Sequence, residues 1–589
     1  MRRTAGRVVI LLVLVVLAAF TYPGAILVSL AVHLTPSMRP SAFPVTSGGL
    51  DWLHVEHGAG TPYIADQEGR RVLLHGAIPT GLIDFWSGTD YSVTNTPPYY
   101  PIDPAAYDNG KCPSNSSVIA TPPLCQKDIE RMAALGFNSV RLPMSWSLLE
   151  PERGKFNQQY LDRVAQVVGW ARAVGLYVIL DMHQNAYSRY VGRSSSAVLP
   201  GSQTISLRYY TGAPDWATFT DGLPSVWYSN NREVNPAVME AATSFWYDRA
   251  GIQDEYIATV ARVMQRFKDD STVAGISVYN EPWPGWDLSP GFEDLLLFPF
   301  YRRVIDAITG LHDGLPCPTH VFMPAPCGYP DLGVHDTRHL VFLDTGLLRE
   351  ITDFPTHLGL PVSSYPNLVL GMHAYTHIYT IEHLIDPHSK PQTANYPWGG
   401  YDQSYYWGER EARAIGAALF VTEFGNDPLL DSVELVAQLR EQEMHMTGFA
   451  FWLWMENCGG GGDSKPYGVF DGIDCSTTAA EPSSGCIRPG RAVLLARVYP
   501  EASSDPNLTY SYDPKTGFFT MHATARFGDA PTVVVVPAVV TGSVTVGGAV
   551  AGEPSIAQTS DGGRIVTVFP GGGDFTVNVA AAPLAQFGC

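Results

Sequence analysis

Residues 275–282 read Gly275-Ile276-Ser277-Val278-Tyr279-Asn280-Glu281-Pro282. A short apolar run of this kind suits a strand buried on both faces, and it stops on an amide, a carboxylate and a proline that cannot extend a ladder. The design recurs along the chain: Leu419-Phe420-Val421-Thr422 leads into Glu423, Val178-Ile179-Leu180 into Asp181-Met182-His183-Gln184, and Val369-Leu370 into His373-Ala374-Tyr375. Apolar runs that end on polar groups and alternate with amphipathic helical patterns mark repeated β-α units around a parallel sheet. Eight strands are expected, at Val72–Ile78, Asn138–Trp146, Tyr177–His183, Gly275–Glu281, His320–Ala325, Leu368–Tyr375, Ala418–Phe424 and Phe449–Glu456. Helices are expected at Lys127–Leu135, Gln159–Val174, Glu255–Asp269 and Ser432–Met446, the first two stopped by Gly136 and Gly175. Eight strands with interleaved helices favour a closed α/β (β/α)8 TIM barrel over an open doubly wound sheet.

With 589 residues the chain has room for such a barrel and a smaller unit. The barrel is assigned to residues 37–496 and a C-terminal all-β sandwich to residues 497–589. After about Arg497 the helical period disappears and strand-like runs follow, among them Phe518–Thr524, Thr532–Val540 and Arg564–Phe569, with a hairpin signal at Asp561-Gly562-Gly563. Residues 1–36 carry Arg2, Arg3 and Arg7, then an apolar stretch from Val8 to Phe20 that resumes after Tyr22-Pro23-Gly24. That stretch suits either a cleaved signal peptide or a retained membrane anchor, so the protein is expected outside the cytoplasm, secreted or anchored. The 45% apolar and 16% charged composition excludes a disordered chain, and a formal charge of −20 argues against nucleic acid as a partner. In an oxidising compartment Cys112 with Cys125 and Cys317 with Cys327 read as loop staples; the connectivity of Cys458, Cys475, Cys486 and Cys589 stays open. No CxxC or HExxH spacing supports a zinc site.

Active-site groups of such barrels come from the C-terminal ends of strands. Arg141 falls in the second strand, Asp181 and His183 end the third, Asn280 and Glu281 the fourth, His373 and Tyr375 the sixth, Glu423 the seventh, and Trp452, Trp454 and Glu456 the eighth. A Glu taken alone reads as an exposed or ion-paired side chain. Glu281 and Glu423, however, both end apolar runs on strands that face each other across the barrel, so they can flank one glycosidic bond.

Val140-Arg141-Leu142, Asp181-Met182-His183-Gln184, Tyr279-Asn280-Glu281-Pro282, His373-Ala374-Tyr375, Thr422-Glu423-Phe424-Gly425 and Phe451-Trp452-Leu453-Trp454 together resemble glycoside hydrolase family five. The trailing β-rich segment after Tyr499-Pro500 looks like the endoglycoceramidase branch. The resemblance implies a retaining double displacement with Glu281 as general acid and then base and Glu423 as nucleophile. Arg141 and Tyr375 would hold Glu423 ionised, Asn280 would bond the sugar 2-hydroxyl, and Asp181, His183 and His373 would serve the sugar site. Trp454 would offer it a flat face. No metal or other cofactor is implied. Endoglycoceramidase-like sequences commonly read His-Gln-Asp where this chain has His183-Gln184-Asn185, which puts the aglycone preference in question.

A glycolipid is the first substrate expected, with possible association at a membrane surface and a monomeric state. Leu295-Leu296-Leu297-Phe298-Pro299-Phe300 is either a lipid-facing patch or a buried helix face. The runner-up is a secreted endo-β-glucanase or mannanase acting on a β-linked glycan. A non-catalytic carbohydrate-binding surface protein on the same barrel is the third reading.

Overall fold

The computed structural model describes residues 50–586 except 59, 85–100, 114–121, 194–199, 205–209, 229–231, 288–290, 313–314, 316–326, 353–361, 376–401, 456–466 and 472–485. Its centre is a closed barrel of eight parallel strands: β1 (His75–Ala77), β2 (Ser139–Met144), β3 (Tyr177–Met182), β4 (Val273–Ser277), β5 (Leu340–Asp344), β6 (Leu368–His373), β7 (Ala418–Phe424) and β8 (Gly448–Phe451). Each strand pairs with its neighbours in sequence, and β8 closes on β1 through Phe449 opposite His75 and Phe451 opposite Ala77. The strands are buried along nearly their whole length, as expected where helices cover the outside and side chains fill the inside.

The fifth strand departs from the sequence reading. His320–Ala325 lies outside the described residues, and Leu340–Asp344 is the segment that pairs with both β4 and β6. Helices lie within a few residues of the expected places, at Gln126–Ala134, Gln158–Ala173, Ile252–Phe267 and Val436–Met444. Asn157 caps the second of these by accepting from Tyr160 N at 3.1 Å, and Gly175 at φ 77° ends it in the left-handed region that glycine enters without strain.

The C-terminal strands form antiparallel sheets. One has four strands, in the order Thr509–Asp513, Phe518–Ala525, Pro570–Val579 and Val544–Val550. Its Phe519, Met521, Ala523 and Ala525 alternate inward, the period of two that a half-covered sheet imposes. Residues 559–563 turn Ser555–Gln558 back onto Arg564–Val568, where the hairpin is expected. The second sheet has seven strands, and it shows that the smaller unit is not a contiguous tail. His54–Glu56, Tyr63–Ala65 and Arg71–Val72 join Tyr499–Ser503, Thr532–Val536, Arg564–Val568 and Ser555–Gln558. The expected first strand, Val72–Ile78, is thus divided between that sheet and the barrel. Leu53, Val55, Ile64 and Ala502 share one buried cluster with Leu74, Ile179, Phe342 and Phe420 of the barrel. Removing a large aliphatic side chain from water contributes about 1.5–3 kcal/mol, so this contact joins the two units energetically.

Cys112 and Cys125 are disulfide-bonded, whereas Cys317, Cys458, Cys475 and Cys589 lie outside the described residues. The apolar run after β4 takes the buried option. Leu296, Leu297, Phe298 and Phe300 are all below 7% exposed, with Phe300 packed on Phe245, Trp246, Tyr256 and Tyr279. Among the described residues no helix is long and apolar enough to cross a membrane, and the expected N-terminal leader or anchor, residues 1–36, lies outside them.

Candidate active site

Arg141 projects from β2 and is fully buried. Its Nη1 donates to Glu423 Oε2 at 3.1 Å, and its Nη2 reaches Asn280 Oδ1 at 2.8 Å, Asp181 Oδ1 at 3.0 Å and Asp344 Oδ2 at 3.1 Å. One planar guanidinium thereby links the ends of β2, β3, β4, β5 and β7, a role that needs Arg's fixed fork of donors. Tyr375 Oη donates to the other oxygen of Glu423 at 2.9 Å. Glu423 therefore keeps two strong donors on its carboxylate and is 6% exposed.

Glu281 follows β4 with φ at 43°, a left-handed conformation that costs a residue with a Cβ about 1–2 kcal/mol. Gln184 holds the turn by donating Nε2 to the carbonyls of Asn280 at 2.6 Å and Glu281 at 2.7 Å. The Glu281 carboxylate is 12% exposed, its Oε1 lies 3.1 Å from His373 Nδ1, and its Oε2 is 3.9 Å from Arg232 Nη2. One oxygen of Glu281, one of Glu423 and a ring nitrogen of His373 lie within 4.8 Å of one another. That spacing could also hold a cation, but Arg141 and Tyr375 already satisfy Glu423 with donors, which a metal site would not place there. The short separation matches the roughly 5 Å that leaves no room for a water between two carboxyls, rather than the roughly 6.5–9.5 Å of inverting sites.

The charges in this cluster divide differently from the sequence expectation. Burial pushes Glu423 up; His373 and Arg141 oppose this and Glu281 adds to it, so the carboxyl ends above its ordinary value. Burial would also raise Glu281, but the hydrogen bond and charge of His373, with Arg232 and His183, hold it below its ordinary value. The expectation that Glu423 is held ionised and that Glu281 supplies the proton left out the burial of the first and the His373 contact of the second. Burial lowers His373, yet Glu350, Glu423, Asp344 and Glu281 around it win, and its proton is held well above the ordinary imidazole range.

The remaining candidates divide. His183 Nδ1 lies 2.8 Å from Asp181 Oδ2, which fixes the ring beside the site. Asn280 is fully buried, its Oδ1 taken by Arg141 and its Nδ2 donating to Gln184 O, so it supports Arg141 and the Glu281 turn from behind. Trp454 is corrected: its ring is fully buried against Phe470 and its Nε1 donates to Asp128, so it offers no free face to a sugar. The ring lying parallel to His183, at 5.6 Å and 5°, belongs to Trp452. Regular pairing in β8 stops at Phe451, so the alternation that equates positions 452 and 454 no longer holds. Asp344 and Glu350 escaped the sequence reading because the fifth strand was sought at 320–325. Arg232 escaped it because it lies on a loop without periodicity. Asn185 is buried, and its side-chain amide donates to Glu281 Oε2 at 3.2 Å and to Gln184 O at 3.1 Å, which places it in the Glu281 site.

A parallel barrel that gathers a buried arginine, two facing glutamates and an aromatic ring at the C-terminal ends of its strands is a glycoside hydrolase barrel. The family model for Cellulase (glycosyl hydrolase family 5) matches residues 113–457, more than half of the chain, and the chain belongs to that family. Among curated relatives, Endoglycoceramidase I of Rhodococcus hoagii (strain 103S) is 27% identical over 248 residues, covering 41% of this chain and 38% of that protein. Endoglycoceramidase of Cyanea nozakii is 28% identical over 213 residues, covering 34% of this chain and 39% of that protein. The matches thus span less than half the length of these curated relatives. A solved endogalactoceramidase structure superposes with a TM-score of 0.66 at 26% identity, covering 90% of this chain and 100% of that one.

Proposed function

We propose that the protein hydrolyses the β-glycosidic bond between a sugar or oligosaccharide and a lipid aglycone, with retention, outside the cytoplasm. The observation that carries the retaining chemistry is the approach of Glu281 and Glu423 within 4.8 Å around His373. The lipid aglycone rests on the endoglycoceramidase relatives and on the endogalactoceramidase likeness over most of the chain. The export signal or anchor expected in residues 1–36 would place the enzyme where glycolipids of an outer leaflet are met.

In this reading Glu423 attacks the anomeric carbon while Glu281 protonates the departing oxygen; Glu281 then takes a proton from the water that releases the sugar. The first half-reaction needs the proton on Glu281 and the charge on Glu423; in the second, Glu423 is esterified by the sugar and Glu281 must be ionised to accept the proton of water. The short gap lets one proton serve either carboxyl, and the Arg141 and Tyr375 donors stabilise the Glu423 anion once the proton has moved.

Purified protein is expected to release intact oligosaccharide, of β configuration when first formed, from a glycosphingolipid. Glu423→Ala should abolish turnover of every substrate. Glu281→Ala should lose about 10²–10⁴-fold with poor leaving groups but keep the first step with activated aryl glycosides. Release from soluble glucans with glycosphingolipids left intact would overturn the lipid aglycone, and an α product would overturn retention.

A further inference from the structure

Behind the imidazole that contacts Glu281 stands a third carboxyl group. Glu350, on the helix Leu347–Thr352 that follows β5, is 1% exposed. Its Oε1 accepts from Thr345 Oγ1 at 3.0 Å, while its buried Oε2 has no hydrogen-bond partner among the described residues and lies 3.5 Å from His373 Nδ1. The same nitrogen is 3.1 Å from Glu281 Oε1, so one ring atom lies between two carboxyls from different strands' ends. A buried carboxylate oxygen without a donor is expensive unless a nearby group supplies charge or the carboxyl keeps its proton.

We propose that Glu350 is a positioning residue for the acid: acting through His373 Nδ1, its anionic form keeps the transferable proton on the Glu281–His373 pair as the medium becomes alkaline. The proposal rests on the reading of Glu281 as the general acid. The charged groups facing Glu350 are His373 from β6, Glu281 from the segment after β4 and Asp344 from β5; His373 in turn faces Glu423 from β7. Burial pushes the Glu350 carboxyl up to about 8, with His373 opposing the rise, Glu281 and Asp344 adding to it, and the Thr345 hydrogen bond opposing it. Below that pH Glu350 is neutral and contributes no charge. Above it the new anion raises the proton affinity of both His373 and Glu281, so the acid survives into a range where it would otherwise be lost.

The test is the pH profile of kcat/KM for Glu350→Gln, which preserves the shape of the side chain without the ionisation. With a poor leaving group the alkaline limb should move to lower pH by about one unit. With an activated aryl glycoside, whose departure needs no acid, the position of the limb should not move. Thr345→Val, which removes the donor that favours the anion, should move the limb in the same direction by less. It provides the measurement if Glu350→Gln does not fold, as judged by its thermal transition. An unmoved limb in a folded variant, or one moved equally for both leaving groups, overturns the proposal. If Glu281→Ala shows no dependence on the leaving group, the acid assignment itself fails, and this inference falls with it for that separate and recognisable reason.

Discussion

At the scale of single residues the site depends on Arg141. A buried guanidinium facing Asp181, Asp344 and Glu423 cannot be replaced by an uncharged donor without leaving carboxylates uncompensated in a medium that penalises them. Arg141→Gln should therefore lower the unfolding free energy by about 3–5 kcal/mol in denaturant titration, and activity should fall in the protein that remains folded. A variant as stable as the parent would show that the three acids are satisfied by other means. The residues at the barrel mouth were legible because each ends an apolar run, the one local pattern that marks a strand's catalytic end. Glu350 and Arg232 have no such marker. Their importance comes only from what they approach, and that approach is made by strands far apart in sequence.

Among the elements, the turn after β7 is tightly constrained. A Cβ built on Gly425 would stand 2.1 Å from the carbonyl oxygen of Trp452, and backbone cannot yield as a flexible side-chain end can. Gly425→Ala should cost about 1–3 kcal/mol of stability and displace Trp452, seen as a raised KM together with a lowered melting temperature. A neutral outcome in both measurements would place Trp452 outside the sugar site. The same scale explains two errors of the sequence reading. The fifth strand at Leu340–Asp344 is short and lies well beyond the helix Phe298–Thr309, so an apolar run nearer in sequence competed for the position. Trp454 was assigned to the sugar site from the family resemblance; β8 pairing ends at Phe451, and Trp452 is the ring that lies beside His183.

Across the whole molecule, several buried carboxyls hold a proton more tightly than an exposed carboxyl does. Burial, opposed by hydrogen bonds from Cys125 N and Trp454, raises Asp128 to about 6; burial, opposed by bonds from Gly154 N, Trp146 and Thr259, raises Glu150 to about 7; Glu350 stands at about 8. Each binds a proton more tightly folded than unfolded, so its contribution to stability is full below the ordinary carboxylate range and is lost as pH rises through those values. Calorimetry should show the melting temperature falling between about pH 5 and about pH 8.5. A flat or rising curve over that window would contradict these buried protonated forms.

The sequence alone determined the barrel, the two facing glutamates and the antiparallel C-terminal sheets, because each rests on a local period or on a polar group that ends an apolar run. Tertiary structure decided which segment closes the barrel between β4 and β6, and that residues 54–72 belong to the same sheet as residues 499–503. It also decided that Trp452 rather than Trp454 lies beside His183, and that His373 draws the proton away from the expected order of the two glutamates. These outcomes depend on hydrogen-bond register, burial and charge between groups hundreds of residues apart, none of which a local pattern records.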